Sequence, residues 1–361
     1  MKRNIRDLTL EELRAELESM GEPRYRAAQV FGRLYRKETP AADFELFSDI
    51  PAGLRRGLTE RFTLGLPEPV DRVSAGDGTT KFLFRLEDGA LVESVLIPAG
   101  RRLTVCLSTQ AGCRFGCAFC ASGRMGFRRN LRPSEITGQF LAAERPAGRG
   151  LSNYVFMGMG EPLDNYDNLE RTLRIMNSPE GLNIAARRMT VSTAGLVPGI
   201  ERFKGLGLQV NLSISIHAVT DRLRSELMPV NRRYPLAELM RAAEDYVASG
   251  GRMLTFEYIV FKGLNDKPAD ADGLAAMARK LRAKVNLIPA SPVPGLNFRT
   301  PSTAEVERFQ AWLEERRVRV TVRQSKGRDI AAACGQLAGG AAAAACGATA
   351  EAKAAKRGGR K

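Results

Sequence analysis

The sequence predicts an α/β protein: a partial (β/α)6 barrel preceded by a small helical domain, with a β-hairpin linking the two. Three observations carry this. From about residue 103, short β-branched runs alternate six times with helical patterns; two alternating apolar runs flank Asp88-Gly89; and residues 1 to 72 read as short helices. Repeated alternation builds a parallel sheet with helices outside. Six units are too few to close an eight-fold barrel, so the sheet stays open.

In LTLEELRAELESMG, Thr9 is placed to cap a leucine-spaced helix and Gly21 to end it. YRAAQVFGRLYRK gives a second, basic amphipathic helix, and PAGLRRGLTERF a third. The linking segment, residues 73–98, contains KFLFRLEDGALVESVLIP, where Asp-Gly between alternating runs signals a tight hairpin. Glu93 falls in its second strand. Across residues 99–330 the strands read as LTVCLST, YVFMGMG, MTVST, VNLSISIH, TFEYIVF and KVNLIPA. Helices such as SEITGQFLAAER, NLERTLRIMN, PLAELMRAAEDYVAS and ADGLAAMARKLRA lie between them, and RVTVRQS adds a strand after the last helix. Chemistry in such barrels sits at the C-terminal ends of the strands. Residues 331–361 hold a cysteine-bearing loop and then an Ala/Gly-rich, basic tail expected to fray.

Composition narrows the function. With 44% hydrophobic and 26% charged residues the chain is an ordinary globular one. No apolar run approaches the roughly 20 residues that span a bilayer. The N-terminus lacks the apolar stretch of a signal peptide, so a cytoplasmic location and no membrane partner are expected. There are 55 Lys and Arg against 40 Asp and Glu, a net charge of +15 that favours polyanionic partners. The basic N-terminal helices are compatible with docking RNA. Six cysteines in a reducing compartment argue for metal or redox chemistry over a disulfide framework.

Three of the cysteines, Cys113, Cys117 and Cys120, crowd into CRFGCAFC, just after the first barrel strand. Structural zinc takes four protein ligands, yet the one histidine, His217, lies about a hundred residues away. An iron–sulfur cluster also normally takes four thiolates. Three in one loop leave one iron of a [4Fe-4S] cluster open to a small molecule. Structural zinc and unliganded thiols are the competing readings.

CxxxCxxC with an aromatic residue, Phe119, before the last cysteine resembles the signature of the radical S-adenosylmethionine (SAM) enzymes. STQAGCRFGCAFCASGRMGFRRNL, FMGMGEPLDNYDN, RRMTVSTAGLVPGI, LSISIHA, LMPVNRRYPL and AACGQLAG follow in the order of one subgroup. They are similar to the adenine C2-methyltransferases of 23S ribosomal RNA and transfer RNA, from about Glu93 to Gly339. The resemblance implies a [4Fe-4S] cluster on Cys113, Cys117 and Cys120, with SAM chelating the open iron and a flavodoxin-like protein as electron donor. C2 of adenine is electron-poor and cannot attack a methyl sulfonium, which is why this chemistry needs a radical. By the same resemblance Cys334 carries the methyl group, Cys106 pairs with it in a disulfide as the RNA adduct resolves, and Glu93 accepts a proton. Gly160, Glu161, Ser192, Ser215, Ile216, His217 and Ser291 contact SAM, and Cys346 is a spectator. Ser291 departs from the family's asparagine in NLIPxNP and offers only a short hydroxyl. A C8-methylating relative shares nearly every motif, and a non-enzymatic iron–sulfur RNA-binding protein or redox sensor is the alternative of a different class. A monomer is expected.

Overall fold

Thr9 caps the first helix as its position predicts. The computed structural model describes residues 2–35, 42–147, 150–293, 296–323 and 326–337. Helix α1 (Leu10–Ser19) begins in a capping box: the Thr9 hydroxyl accepts from Glu12 N, and the Glu12 carboxylate accepts from Thr9 N at 2.8 Å. Helices α2 (Tyr25–Leu34) and α3 (Ala52–Arg61) complete the N-terminal module. Leu10, Leu13 and Leu17 on α1, and Ala27, Val30, Phe31 and Leu34 on α2, recur at helical spacing and are buried. They join the main apolar core, which also takes in the strands of the large sheet. Asp7 accepts from Ser134 N at 2.9 Å, which ties the module to the barrel.

The main sheet has ten strands in sequence order. It starts with β1 (Glu68–Ser74), β2 (Thr80–Arg85), β3 (Leu91–Ala99) and β4 (Arg102–Cys106), each antiparallel to the next. After β4 come α4 (Ala121–Arg124) and α5 (Pro133–Ala147), then β5 (Asn153–Phe156), α6 (Tyr166–Asn177), β6 (Met189–Thr193) and α7 (Val197–Lys204). β7 (Asn211–Ser215), α8 (Asp221–Leu227), α9 (Leu236–Ala248), β8 (Leu254–Val260) and α10 (Pro268–Lys280) follow. β9 (Lys284–Pro289), α11 (Thr303–Glu315) and β10 (Val320–Val322) end the series. From β4 to β10 every pairing is parallel, the open (β/α)6 arc with its added strand that the alternation predicts.

The hairpin around Asp88-Gly89 is β2 and β3, and it is hydrogen-bonded into this sheet through β3–β4. Beyond the short parallel pairing of Arg3–Asn4 with Phe62–Thr63 in the N-terminal module, two features have no counterpart in the predicted elements. β1 is exposed along its length, carries Pro69 and Asp71 at a bulge, and forms one edge of the sheet. Polar and proline residues protect an edge strand and erase the alternation that would reveal it. A two-stranded ribbon, Gln110–Gly112 with Phe127–Asn130, frames the cysteine loop and is too short to show a period. Among the described residues no helix is long and apolar enough to cross a membrane.

Candidate active site

The cysteine loop leaves the end of β4 and is clamped at three points. Cys113 N donates to Gly126 O at 3.0 Å, Ala118 N to Leu227 O at 2.8 Å, and Ala121 N to Gly335 O at 2.7 Å. At the first clamp Gly112 has φ +76, and an added Cβ would stand 1.8 Å from Gly126 O, so only glycine fits. The third clamp sets the Cys334 segment against Cys120.

Cys113, Cys117 and Cys120 line one cavity at the strand ends, together with Cys334. Burial pushes the Cys113 thiol up to about 12, raises Cys117 well above its ordinary value and raises Cys120 as well. As free thiols they are protonated, and a bound cation is what would hold them as thiolates. Among the described residues no three of His, Cys, Asp and Glu converge tightly enough for a single metal ion.

Gly160, Glu161, Ser192, Ser215 and His217 line the same cavity. Glu161 accepts from Ala194 N at 2.7 Å and Leu163 N at 3.1 Å, and its burial lifts the carboxyl to about 7. His217 accepts from Ile259 N on Nδ1 at 3.0 Å, and burial drives its pKa down to about 3. The ring is therefore neutral, with its proton on Nε2, and stands edge-on to Phe119 at 4.9 Å. Two expected contacts are placed elsewhere: Ile216 is wholly buried in the core, and Ser291 is absent from the cavity lining.

Glu257, which the sequence reading passed over, also lines the cavity. Asn286 Nδ2 donates to its Oε1 at 3.0 Å, while its buried Oε2 has no hydrogen-bond partner and lies 3.9 Å from the Arg323 guanidinium. An orphaned acceptor in the cavity wall suits a ligand bearing hydroxyl or ammonium groups, as SAM does. Its signal was an acid within the apolar run TFEYIVF.

A second cavity adjoins the first. Cys106, Met157, Arg323, Lys326 and Cys334 line it, and Cys334 and Arg323 belong to both. Burial pushes the Cys106 thiol up to about 12, with Cys334 adding to the rise and Arg323 opposing it. The expected Cys106–Cys334 disulfide is not present: both are free thiols, one buried in β4 and the other exposed. Cys346 lies outside the described residues. Glu93, in the middle of β3, lines neither cavity; its buried carboxylate pairs with Lys81 at 3.1 Å, and Lys81 Nζ reaches Ala331 O at 3.4 Å. Lys81 thus connects Glu93 to the segment that bears Cys334.

Two family models match the chain: the ribosomal RNA large subunit methyltransferase N-terminal domain over residues 3–64 and the radical SAM superfamily over residues 107–273. The dual-specificity RNA methyltransferase RlmN of Syntrophus aciditrophicus is 46% identical over 338 residues, 93% of this chain and 96% of that protein. The probable dual-specificity RNA methyltransferase RlmN of Gemmatimonas aurantiaca is 48% identical over 318 residues, 88% of this chain and 87% of that protein. Among solved structures, a radical SAM methyltransferase from Sphaerobacter thermophilus superposes with a TM-score of 0.86 at 47% identity. It covers 93% of this chain and 99% of that one.

Proposed function

The chain belongs to the RlmN family of radical SAM methyltransferases, and on that premise we propose that it methylates C2 of an adenosine in 23S ribosomal RNA and of an adenosine beside the transfer RNA anticodon. The observation that carries the reading is the position of Cys334, at the junction of a cavity lined by three further thiols and a cavity lined by Cys106. Cys113, Cys117 and Cys120 would hold the [4Fe-4S] cluster. When bound, the cluster supplies the electron that cleaves SAM, and SAM supplies both the methyl carbon and the radical that activates it.

The chain's own residues handle the rest. Glu161, His217, Ser192 and Ser215 bind and orient SAM, with the Nε2–H of His217 as a fixed donor and Glu161 as acceptor for the ammonium. Cys334, exposed where Cys106 is buried, carries the methyl group to the base and becomes bonded through that carbon to C2. Glu93, linked through Lys81 to the segment that bears Cys334, accepts the proton that leaves C2, and the unpaired electron of the adduct would pass back to the oxidised cluster. Release follows when the Cys106 sulfur bonds to the Cys334 sulfur. The carbon–sulfur bond to the RNA breaks, and its electron pair and a proton go to the methyl carbon. The disulfide is thus a feature of turnover. The N-terminal module, residues 1–72, docks RNA through its basic helices; the enzyme works as a cytoplasmic monomer reduced by a flavodoxin-like protein.

Nucleoside analysis of 23S and transfer RNA after anaerobic incubation with SAM tests the reading. It expects 2-methyladenosine; 8-methyladenosine, or no modified base from cluster-loaded protein, would overturn it. Cys334→Ala is expected to abolish methylation at unchanged iron content.

A further inference from the structure

We propose that Arg224 is the buried counter-cation of the cluster site, balancing the negative charge of Cys113, Cys117 and Cys120 and setting how readily a cluster there is reduced. The inference rests on the reading of those thiols as cluster ligands. Arg224 is fully buried in α8. Its guanidinium donates to Ile216 O at 3.2 Å, Asn231 Oδ1 at 2.8 Å, Ala194 O at 2.7 Å and Ser215 O at 3.1 Å. All four acceptors are neutral. Asp221, on the same helix, turns its carboxylate to Asn231 Nδ2 and Leu236 N instead.

A guanidinium stays protonated in proteins. Burying one without a carboxylate is costly, and a fold that keeps it needs an anion nearby. The anion that fits is the thiolate cluster. The cysteine loop is fastened to α8 through Ala118 N and Leu227 O, and Cys117 is the leading electrostatic neighbour of the guanidinium. Ala194 and Ser215, whose carbonyls hold Arg224, line the cavity. Gly195, at φ +102, leaves the space: an added Cβ would stand 2.9 Å from Arg224 Nη2. The geometry fixes one positive charge behind the cluster position, shielded from water and therefore felt strongly. A fixed cation favours the more negative, reduced state.

The test measures iron per chain and the cluster midpoint potential by EPR-monitored reductive titration of reconstituted protein. Arg224→Gln removes the charge. The swap Asp221→Asn with Asn231→Asp keeps an acceptor for Arg224 Nη1 and moves a carboxylate onto Arg224, giving up only the donation from residue 231 to the carbonyl of residue 221 at the helix start, so it decides alone if the Gln variant does not fold. Both are expected to shift the midpoint to more negative values at the wild-type iron content, while Arg224→Lys stays closer to wild type than either. An unchanged midpoint in the swap variant overturns the proposal, as does an Arg224→Lys shift as large as that of Arg224→Gln. Wild-type protein that binds no iron at all overturns the reading of the cysteines, and the inference with it.

Discussion

Gly160 is the position where a single methyl group would do most damage to the cavity proposed to hold SAM. Its φ of +97 belongs to a region that side chains avoid, and an added Cβ would stand 2.5 Å from Gln110 Cβ, 2.7 Å from Cγ and 2.8 Å from the backbone N. Forcing alanine into left-handed backbone costs about 1–2 kcal/mol. Overpacking against a neighbour whose backbone is already in contact costs about 1–3 kcal/mol more. Gly160→Ala should therefore lose about 2–5 kcal/mol, a large part of the ~5–15 kcal/mol that holds a domain together. Gln110 cannot move freely to relieve the clash. Its Oε1 accepts from Glu161 N at 2.9 Å, and its Nε2 donates to Asn130 at 2.8 Å and Asp164 at 2.7 Å. Displacing it drags Glu161, so SAM affinity should fall at least about tenfold, the equivalent of about 1.4 kcal/mol. Urea unfolding and equilibrium dialysis with SAM measure the two effects. Gly207→Ala is the control, with φ +73 but nothing within 4 Å of the added Cβ. If Gly160→Ala is no less stable than Gly207→Ala, the contact argument is wrong.

Cys106→Ala should leave methyl loading of Cys334 intact and trap a covalent protein–RNA adduct, visible by gel shift and mass spectrometry; free methylated RNA at normal yield would remove Cys106 from the release step. Lys81→Met breaks a buried ion pair and should cost about 3–5 kcal/mol in urea unfolding. Adding Glu93→Gln should recover much of that loss, and a double variant as unstable as the single one would refute the pairing argument. Hydrogen bonds from Arg129 hold Asp88 well below the carboxylate range; burial pushes Glu135 up, but Arg129 outweighs it and keeps Glu135 below its ordinary value. Both folded pKa values are depressed, so this network stabilises the fold above the ordinary carboxylate values of 3.8 and 4.5 and fades as pH falls below them. Urea midpoints measured from pH 7 to pH 3 should fall less steeply in Arg129→Gln, and an identical pH slope would count against it.

The order of elements and the clustering of thiols in one loop are both legible in the chain read alone. β-branched runs such as MTVST, the Asp88-Gly89 turn and the Thr9 cap are local signals, and local physics was enough to read them. The three cysteines stood out as a candidate ligand set for the same reason, since their spacing falls within a few residues. The strand ends came out less sharply: YVFMGMG looks extended, yet β5 stops at Phe156 and Gly160 turns left-handed so that Glu161 can face the cavity.

Which distant groups meet depends on how the chain folds back on itself. Cys106 and Cys334 are far apart in the chain and share a cavity because the segment after β10 folds back onto the cysteine loop. Arg224 in DRLRSEL reads as one more surface charge on a short helix, and only the burial of α8 against the strand ends makes it a cation shielded from water. Glu93, Lys81 and Glu257 are strand residues whose partners come from other strands or loops. Burial and pairing set the energy of a charge, and both depend on what packs across it, which residue type and spacing leave open.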